Sequence, residues 1–541
     1  MYGIALDLGT SGFRAQLINL DSKDVFKVSM TAKHPLPGGN ITDHLDFAIS
    51  VGGDIAHGII VDAIRKVIDS FHVDASLIKK IVVCGNPIQL SLFQNSEIRD
   101  LAYAGKNMQM RLGIEDVKRE ARIFPASEIF KGSPAFEDCD IFVPPAIRHE
   151  IGADALAMML ETDFLDQTVP TLVTDYGTNA EMAIKVGDRI ITASAAAGPA
   201  IEGQGIGCGM LASPGAISDV ISEGKYWRLM VLDADMQARE SYLIDPVTGK
   251  IVKDSDIKPV GITGTGVISV LSLAMRTGLI ENPPKLKYGK ILLGDDIFIT
   301  EDDIKEAGKA IGAIKAAQLT LIIESGLHYD DLENMYMTGA SGTYVDAEKA
   351  MHVGSCPDFS KKIVQFGNTS LALAREILLD ESKFDKVIKL AHQITADHLM
   401  MATSGTFKDF YSCELSYWTE GMSKDMYNKF LDIYGLPALP LESNAAIIEK
   451  RSSQDIKETG LTGVEIVEDV GITIEELAVG CTLCHRCETE CPENAITIVE
   501  EGGNRFAMYN TQKCLGTACK RCVRVCPVNA INYEEIKILV H

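Results

Sequence analysis

The chain has 541 residues, a formal net charge of −24 and a hydrophobic content of 46%. Its length predicts three or more domains. The acidic balance argues against nucleic acid and anionic membranes as partners, because both require basic patches. The N-terminus lacks a signal-peptide pattern. The best membrane candidate, residues 259–275, is shorter than the ~20 apolar residues a bilayer requires and predicts a glycine turn leading into a helix. We therefore expect a cytoplasmic protein without a membrane contact.

The first predicted element is an N-terminal β-hairpin with an acidic residue at its mouth. A short apolar run contains Asp7, the turn Gly9-Thr10-Ser11-Gly12 follows, and a second apolar run begins at Phe13. This is the pattern of a strand, a tight turn and a strand. The backbone N–H groups of such a turn can surround phosphate oxygens. We expect Gly9, Thr10, Ser11 and Gly12 to bind phosphate and Arg14 to neutralise its charge.

A second hairpin repeats this pattern over residues 171–184. Asp175 precedes Tyr176 and the turn residues Gly177, Thr178 and Asn179. One such hairpin is equally well explained as an ordinary turn, but two in the same register predict a duplicated domain. We expect the second turn to bind phosphate as well. Asp7 and Asp175 should face each other, hold a hydrated Mg2+ ion and, through it, position the attacking water.

A third glycine motif spans residues 335–346 and predicts a strand, a turn and the start of a helix. Its glycines, Gly339 and Gly342, would let the backbone approach an adenosine. The sequence contains no G-x-x-x-x-G-K-[ST] motif, which excludes a P-loop. It also contains no G-x-G-x-x-G motif that opens a convincing βαβ unit, so a nicotinamide or flavin site of the Rossmann type is not expected.

We divide the chain at about residue 165 and again near residue 405. The predicted parts are a first ATPase subdomain (1–165), a second ATPase subdomain (166–405), a connecting region (406–470) and a cysteine-rich module (471–541). The connecting region contains Leu436-Pro437-Ala438-Leu439-Pro440 and then a polar run. Prolines and polar runs of this kind are typical of a spacer.

Eight of the 13 cysteines lie in two runs near the C-terminus. The first run, C-x2-C-x2-C-x3-C-P, comprises Cys481, Cys484, Cys487 and Cys491. The second run, C-x4-C-x2-C-x3-C-P, comprises Cys514, Cys519, Cys522 and Cys526. These runs are typical of a bacterial two-cluster ferredoxin, in which the fourth cysteine of each run ligates the other cluster. One 4Fe–4S cluster is therefore expected on Cys481, Cys484, Cys487 and Cys526, and another on Cys514, Cys519, Cys522 and Cys491.

Structural zinc and disulfides are the alternatives for these cysteines. Zinc favours two C-x2-C pairs separated by a longer loop. Disulfides do not explain two triplets that are each closed by Cys-Pro. Electron transfer through iron–sulfur clusters is the interpretation that accounts for both runs.

The two hairpins and the third glycine motif resemble the actin-like (ASKHA) ATPase superfamily. Further segments resemble the reductive activators of corrinoid enzymes: Gly85-Asn86, residues 193–203, Gly209-Met210, residues 214–217 and residues 261–266. The resemblance covers about residues 1–400. The pairing with a C-terminal two-cluster module is similar to activators of methylamine methyltransferase corrinoid proteins in methanogenic archaea. Many corrinoid activators instead carry an N-terminal 2Fe–2S domain, which this chain does not show.

This resemblance implies an α/β protein with a duplicated actin-like ATPase fold and a C-terminal α+β ferredoxin domain. It also implies ATP-dependent reduction of inactive cobalt(II) to cobalt(I) on a corrinoid methyltransferase protein. The expected cofactors are two 4Fe–4S clusters, ATP and Mg2+, and the expected partners are the corrinoid protein and an upstream low-potential electron donor. Two alternatives stay open: an electron donor resembling the activators of 2-hydroxyacyl-CoA dehydratases, and a small-molecule kinase with a fused ferredoxin sensor.

Overall fold

A computed structural model describes residues 1–103, 106–114, 117–146, 151–198, 200, 203, 205–339, 345–394, 396–440, 446–451, 462–517, 519–532 and 537–538. The chain forms two compact units. The first contains residues 1–153, 374–391 and 460–541, and the second contains residues 154–373 and 392–459. The chain therefore crosses between the units several times, and the C-terminal module belongs to the same unit as the N-terminus.

The N-terminal part of the chain begins with the predicted hairpin, formed by β1 and β2. Its elements are β1 (Tyr2–Leu8), β2 (Phe13–Asn19), β3 (Val25–Thr31), α1 (Ile41–Val51), α2 (Gly53–Asp69), β4 (Ile78–Gly85), α3 (Pro87–Phe93), α4 (Arg99–Ala102), α5 (Lys106–Arg111), β5 (Arg122–Pro125), β6 (Asp140–Val143) and α6 (Ala153–Leu160).

The next part of the chain contains the second predicted hairpin, formed by β7 and β8. Its elements are β7 (Thr171–Asp175), β8 (Asn179–Val186), β9 (Arg189–Ala196), β10 (Ala216–Glu223), β11 (Tyr226–Leu232), β12 (Ala238–Ile244), β13 (Ile251–Lys253), β14 (Gly261–Ile262), α7 (Gly264–Arg276), β15 (Ile280–Asn282), β16 (Lys285–Leu286), β17 (Ile291–Leu292), β18 (Phe298–Ile299), α8 (Glu301–Glu324) and β19 (Asn334–Thr338). Thr263 caps α7, as expected for a glycine turn that leads into a helix.

The last part of the chain completes both units and adds the cysteine-rich module. Its elements are α9 (Ala347–Val353), β20 (Lys362–Gly367), α10 (Thr369–Leu379), α11 (Ser382–Gln393), β21 (Ala396–Leu399), α12 (Gly405–Glu420), α13 (Lys424–Ile433), β22 (Ile447–Lys450), β23 (Val464–Val467), β24 (Thr473–Leu477), α14 (Arg486–Thr489), β25 (Ile496–Glu501), β26 (Asn504–Asn510), α15 (Arg521–Val525) and β27 (Lys537–Ile538).

The main sheets of the two units share the order of their first six strands and differ at the last strand, which is antiparallel to its neighbour in the first sheet and parallel to it in the second. The first sheet is β23-β3-β2-β1-β4-β6-β5 and the second is β21-β9-β8-β7-β19-β20-β22. In both sheets the first three consecutive strands are antiparallel and the fourth pairs in parallel with the first. In both, a later strand pairs in parallel with the outer strand of the hairpin meander. The duplication predicted from the two hairpins is thus present in the sheet topology.

The region expected to act as a spacer is largely built into the two units. Helix α12 packs along α8, because glycines on α8 leave room for its side chains: a Cβ on Gly308 or Gly312 would collide with Trp418 or Glu414. Trp418 and Glu414 are fully buried. Strand β22 is then an edge strand of the second main sheet, and strand β23 is an edge strand of the first. The proline pair that suggested a spacer follows α13 and does not end the packed region.

The C-terminal module is a four-stranded sheet of order β25-β26-β24-β27 with the short helices α14 and α15. None of the described helices combines the length and the apolar character that crossing a membrane requires.

Candidate functional site

The first predicted phosphate turn is tightly constrained by its neighbours. The hydroxyl oxygen of Thr31, on β3, accepts a hydrogen bond from the Phe13 N–H at 2.9 Å. A Cβ on Gly12 would lie 2.7 Å from that same oxygen, and one on Gly9 would lie 2.9 Å from the Gly12 carbonyl. These positions therefore require glycine, which agrees with a turn that presents its backbone to a ligand.

Asp7 and Arg14 lie opposite each other at the mouth of this hairpin, Asp7 on β1 and Arg14 on β2. On its other side, β1 pairs with β4, which ends beside the turn at Gly85. Asn86 follows and donates a hydrogen bond from Nδ2 to Thr10 Oγ1 at 3.3 Å. Gly85 and Asn86, which are among the segments that resemble the corrinoid activators, therefore lie next to the first phosphate turn.

The second turn places an additional carboxylate next to Asp175. In the β7–β8 register, Asp175 is paired with Glu181, and Glu181 accepts a hydrogen bond from Ser194 Oγ at 2.7 Å. Burial, the charge of Asp154 and the charge of Asp175 raise the pKa of Glu181 well above its usual range, against the effect of Ser194. Glu181 was not among the site residues predicted from the sequence. Its place after the second turn, corresponding to that of Arg14 after the first, was the available signal.

Gly339 follows β19 and lies against the Asp175 carboxylate. A Cβ at this position would overlap Asp175 Oδ1 and lie 3.0 Å from the Tyr176 nitrogen, and the backbone has a φ of +86°. The preceding residue, Thr338, donates a hydrogen bond to Asp175 Oδ2 at 3.3 Å. Gly339 thus has a reason to be glycine besides the predicted approach of adenosine. The other predicted adenosine residue, Gly342, lies outside the described residues.

The remaining predicted phosphate ligands of this hairpin are at its turn. Thr178 is 2% exposed, and its carbonyl accepts a hydrogen bond from the Gly198 N–H at 3.0 Å. Gly177 and Asn179 flank it, and Asn179 begins β8. Because Asp7 and Asp175 belong to different units, their predicted approach across a nucleotide stays a prediction.

The two cysteine runs have the same local geometry. In both runs the first cysteine sulfur accepts a hydrogen bond from the backbone N–H two residues later. Leu483 donates to Cys481 at 3.5 Å, and Gly516 donates to Cys514 at 3.4 Å. The N–H four residues after the fourth cysteine does the same, from Ala495 to Cys491 and from Ala530 to Cys526, both at 3.2 Å. Such N–H···S contacts stabilise thiolate ligands of iron–sulfur clusters and influence their potential.

One pocket in this module gathers cysteines from both runs. It is lined by Cys491 together with Cys514, Cys519 and Cys522. In the described residues, no three His, Cys, Asp or Glu side chains converge as the ligands of a single metal ion do. A cubane cluster requires a different arrangement, in which each cysteine binds its own iron around a shared volume. The donor set and its arrangement fit a 4Fe–4S cluster.

The module is seated on the N-terminal sheet of its own unit. Strand β23 extends this sheet in parallel with β3, with its Glu465 3.1 Å from the largely buried Lys27 ammonium. Lys66, on α2, donates a hydrogen bond to the Gly471 carbonyl at 3.2 Å. The Gly38 N–H donates to the Cys514 carbonyl at 3.0 Å. The cluster region is therefore in direct contact with the part of the chain that carries the first phosphate turn.

The fold and the cysteine runs together define a class of protein: an actin-like ATPase fold joined to a ferredoxin module with two cysteine runs. Three family models match the chain. One describes the RACo middle region (residues 2–167), one the C-terminal domain of RACo, the ASKHA domain (residues 169–428), and one a 4Fe-4S dicluster domain (residues 480–530). The predicted fold class is confirmed.

Curated relatives identify the family. Over 518 residues, and 96% of both chains, this chain is 62% identical to a [Co(II) methylated amine-specific corrinoid protein] reductase from Methanosarcina barkeri. It is 26% identical to the corrinoid activation enzyme RamQ of Eubacterium limosum, over 76% of this chain and 69% of that protein. The chain belongs to the family of RACo-type reductive activators of corrinoid proteins, and the family resemblance stated from its sequence is confirmed.

A solved structure agrees at the level of the fold. A reductive activator for a corrinoid, iron–sulfur protein superposes with a TM-score of 0.62 at 22% identity, covering 77% of this chain and 66% of that chain.

Proposed function

We propose that this protein activates a corrinoid methyltransferase protein by reducing its cobalt(II) to cobalt(I) at the expense of ATP, in methylamine-dependent methanogenesis. The observation that carries the proposal is the 62% identity to a reductase of methylated-amine corrinoid proteins over 96% of both chains. Both modules that such a reaction requires, an ATPase fold and a dicluster domain, are present in one chain.

The nucleotide site is proposed at the two phosphate turns. Gly9, Thr10, Ser11 and Gly12 would surround one part of the phosphate chain, and Gly177, Thr178 and Asn179 another. Arg14 would neutralise phosphate charge, and Asp7 and Asp175 would hold Mg2+ through its waters. Gly339 and Gly342 would admit the adenosine. The constrained glycines of the first turn and the packing of Gly339 on Asp175 support this assignment.

The cluster ligands are proposed to cross between the two runs. Clusters of this type are one-electron carriers of low potential. Cys514, Cys519, Cys522 and Cys491 would hold one cluster, in agreement with the pocket that these four side chains line. Cys481, Cys484, Cys487 and Cys526 would hold the other. Thiolate ligands require a reducing compartment, which supports the cytoplasm as the location.

Crossed ligation can be tested with cysteine variants that lie in the same run. Cys484→Ser should damage the cluster of the first run, whereas Cys491→Ser should damage the cluster of the second. Anaerobically reconstituted protein should carry about eight irons per chain, and EPR spectra of the reduced variants should lose different signals. Loss of the same signal in both variants would contradict the crossing, and stoichiometric zinc in anaerobically purified protein would contradict the clusters altogether.

ATP is proposed to drive a discrete rearrangement, because a modest allosteric effect is too small. For a one-electron couple, a tenfold change in equilibrium corresponds to about 59 mV. An allosteric coupling of ~1–3 kcal/mol therefore shifts a potential by only roughly 40–130 mV. A change of cobalt ligation in the partner would move the cobalt couple further than this. The electron donor upstream of the clusters and the corrinoid protein are the two protein partners that the proposal requires.

The decisive experiment follows cobalt absorbance in a mixture of corrinoid protein, low-potential reductant and the full-length chain. Cobalt(II) should be converted only when hydrolysable ATP is present, and a non-hydrolysable analogue should not sustain the conversion. Equal conversion without ATP would leave a plain electron carrier. Phosphorylation of a small molecule would instead identify a kinase. ATP-dependent electron transfer to a 2-hydroxyacyl-CoA dehydratase, and not to a corrinoid protein, would identify an activator of that class of enzyme.

A further inference from the structure

A buried segment connects the first phosphate turn to the loop of one predicted cluster. We call residues 34–39, of sequence His34-Pro35-Leu36-Pro37-Gly38-Gly39, the strap. It leaves β3 shortly after Thr31, whose hydroxyl holds the Phe13 N–H at the end of the phosphate turn. The His34 ring packs edge-on against the Phe13 ring, with the centroids 5.2 Å apart. The strap therefore begins in contact with the hairpin that is proposed to bind phosphate.

A second path links the turn to the strap through a pair of stacked histidines. The rings of His34 and His44 lie 3.9 Å apart at 18°, and the Gln89 side chain contacts both, at 3.1 Å from His34 Nε2 and 2.9 Å from His44 Nδ1. All three side chains are at most 5% exposed. Gln89 lies in the first turn of α3, where its N–H donates to Asn86, and Asn86 donates to Thr10 of the phosphate turn.

The far end of the strap lies against the Cys514 loop. The Gly38 N–H donates to the Cys514 carbonyl at 3.0 Å, and a Cβ on Gly516 would lie 3.3 Å from the Gly38 nitrogen and Cα. Gly516 is also the residue whose N–H points at the Cys514 sulfur, at 3.4 Å. A shift of Gly38 therefore bears on the hydrogen bond to a cluster ligand.

The strap is built to transmit a displacement. Residues 34–37 are buried, and Pro35 and Pro37 fix φ, which removes two soft torsions from the segment. Close-packed interiors transmit strain over such contacts. Hydrogen bonds to the ligand sulfurs are among the features that set the potential of an iron–sulfur cluster.

We propose that the strap makes the cluster bound by Cys514 sensitive to the nucleotide at the first phosphate turn. His34, Gln89, Gly38 and Gly516 act as positioning residues: nucleotide binding displaces the strap, and the Gly516 N–H changes its approach to the Cys514 sulfur. The cluster bound by Cys481 has Leu483 in place of Gly516 and serves as the internal reference. The inference rests on the proposed ATP and cluster sites but not on the corrinoid partner.

The test is an anaerobic redox titration of the full-length protein, followed by EPR, without nucleotide and with ATP or ADP. The midpoint potential of the cluster that Cys491→Ser removes should shift with nucleotide, and that of the other cluster should not. Gly516→Ala should abolish the shift, measured on the EPR signal that the variant retains, while ATP hydrolysis stays within twofold of the wild type. Its matched control is Gly480→Ala, which has a similar φ, +77° against +73°, but open space around the added Cβ, and which should retain the shift.

A second variant probes the strap from its other end. Gln89→Leu removes both contacts to the histidines and changes no residue of either cysteine run, so it should abolish the shift with iron content unchanged. In the wild type, nucleotide should change the rate of hydrogen exchange at the amides of Gly38 and Gly516, and in Gln89→Leu it should not. The same difference is expected in protein that lacks the clusters.

The inference is overturned if the wild-type potential does not respond to nucleotide, if the Cys481 cluster responds instead, or if the shift persists in Gln89→Leu. A wild-type shift without ATP-dependent cobalt reduction would disprove the proposed function and leave the strap inference standing.

Discussion

At the scale of single residues, close approach decides where glycine is required. Gly326 and Gly339 share a φ of +86°, but a Cβ on Gly326 would meet nothing within 4 Å, whereas one on Gly339 would overlap the Asp175 carboxylate. The sequence predicted that Gly339 admits a ligand. It could not show the contact with Asp175, because Gly339 follows β19 and Asp175 ends the neighbouring parallel strand β7, more than 160 positions earlier in the chain.

This pair of glycines gives a matched test of the Asp175 position. Both Gly326→Ala and Gly339→Ala should lose roughly 1–2 kcal/mol of stability through left-handed backbone strain. Only Gly339→Ala should lose ATP hydrolysis, by tenfold or more, because its methyl group displaces the carboxylate. ATP turnover and iron content measured together are the check. Normal turnover in Gly339→Ala would show that the Asp175 position is not needed for hydrolysis.

The buried histidines predict a dependence of stability on pH. Burial lowers the pKa of His44 to about 3, and burial and the neighbouring His44 lower the pKa of His34. The unfolded chain binds these protons near pH 6.5 and the folded chain does not, so stability is full above that pH and falls as pH decreases below it. For His44 the loss should reach roughly 2 kcal/mol at pH 5.

Calorimetric unfolding between pH 7.5 and pH 5 measures this dependence. His44→Gln, which cannot titrate, should flatten the decrease in the unfolding temperature. The exposed His392→Gln should leave it as in the wild type. An identical pH profile in all three proteins would mean that His44 takes up its proton equally well in the folded and in the unfolded chain.

At the scale of elements, local patterns were predictable and pairings between distant segments were not. The two hairpins and the duplicated cysteine runs follow from short motifs, and the structure has them where expected. Strand β23 was placed in the connecting region (406–470) without a predicted structure, because a four-residue strand carries almost no signal of its own. Its partner β3 lies near the other end of the chain, so no local sequence pattern in either segment predicts that they pair.

The attachment of β23 can be tested with prolines at adjacent positions. The Val467 carbonyl accepts a hydrogen bond from the Ala32 N–H at 3.1 Å, so in a parallel ladder the Val467 N–H also faces β3, and the Ile466 N–H faces away. Val467→Pro should weaken this pairing by about 1–3 kcal/mol, whereas Ile466→Pro should be tolerated on an edge strand.

Hydrogen exchange at the amides of β3 is the measurement for this pair. Exchange at Ala32 and Met30 should accelerate in Val467→Pro and stay near the wild-type rate in Ile466→Pro. Equal acceleration in both variants would contradict the register of β23.

At the scale of the whole molecule, the electron-carrying module and the N-terminal sheet are parts of one unit. The buried Lys27 ammonium has its carboxylate partner on β23, and β3 has an otherwise unpaired edge on that side. Truncation after residue 470 keeps this strand, and truncation after residue 451 removes it. Unpaired strand edges promote association between chains.

The two truncated proteins should therefore differ in behaviour although both lack the clusters. The 1–470 chain should hydrolyse ATP and elute without aggregation, but should not activate a corrinoid protein. The 1–451 chain should aggregate, as monitored by light scattering during size-exclusion chromatography. Comparable solubility of the two would show that β3 does not need its outer partner.

The pairing of β23 with β3 also determines when the protein can mature during its synthesis. Thr462, just before β23, donates a hydrogen bond to the carbonyl of Phe26, 436 residues earlier. At ribosomal rates of about 5–20 residues per second, the nascent N-terminal sheet waits on the order of 20–90 s for its last strand. The cysteines emerge only after that strand. Iron insertion at these cysteines therefore follows the synthesis of the last strand of the N-terminal sheet.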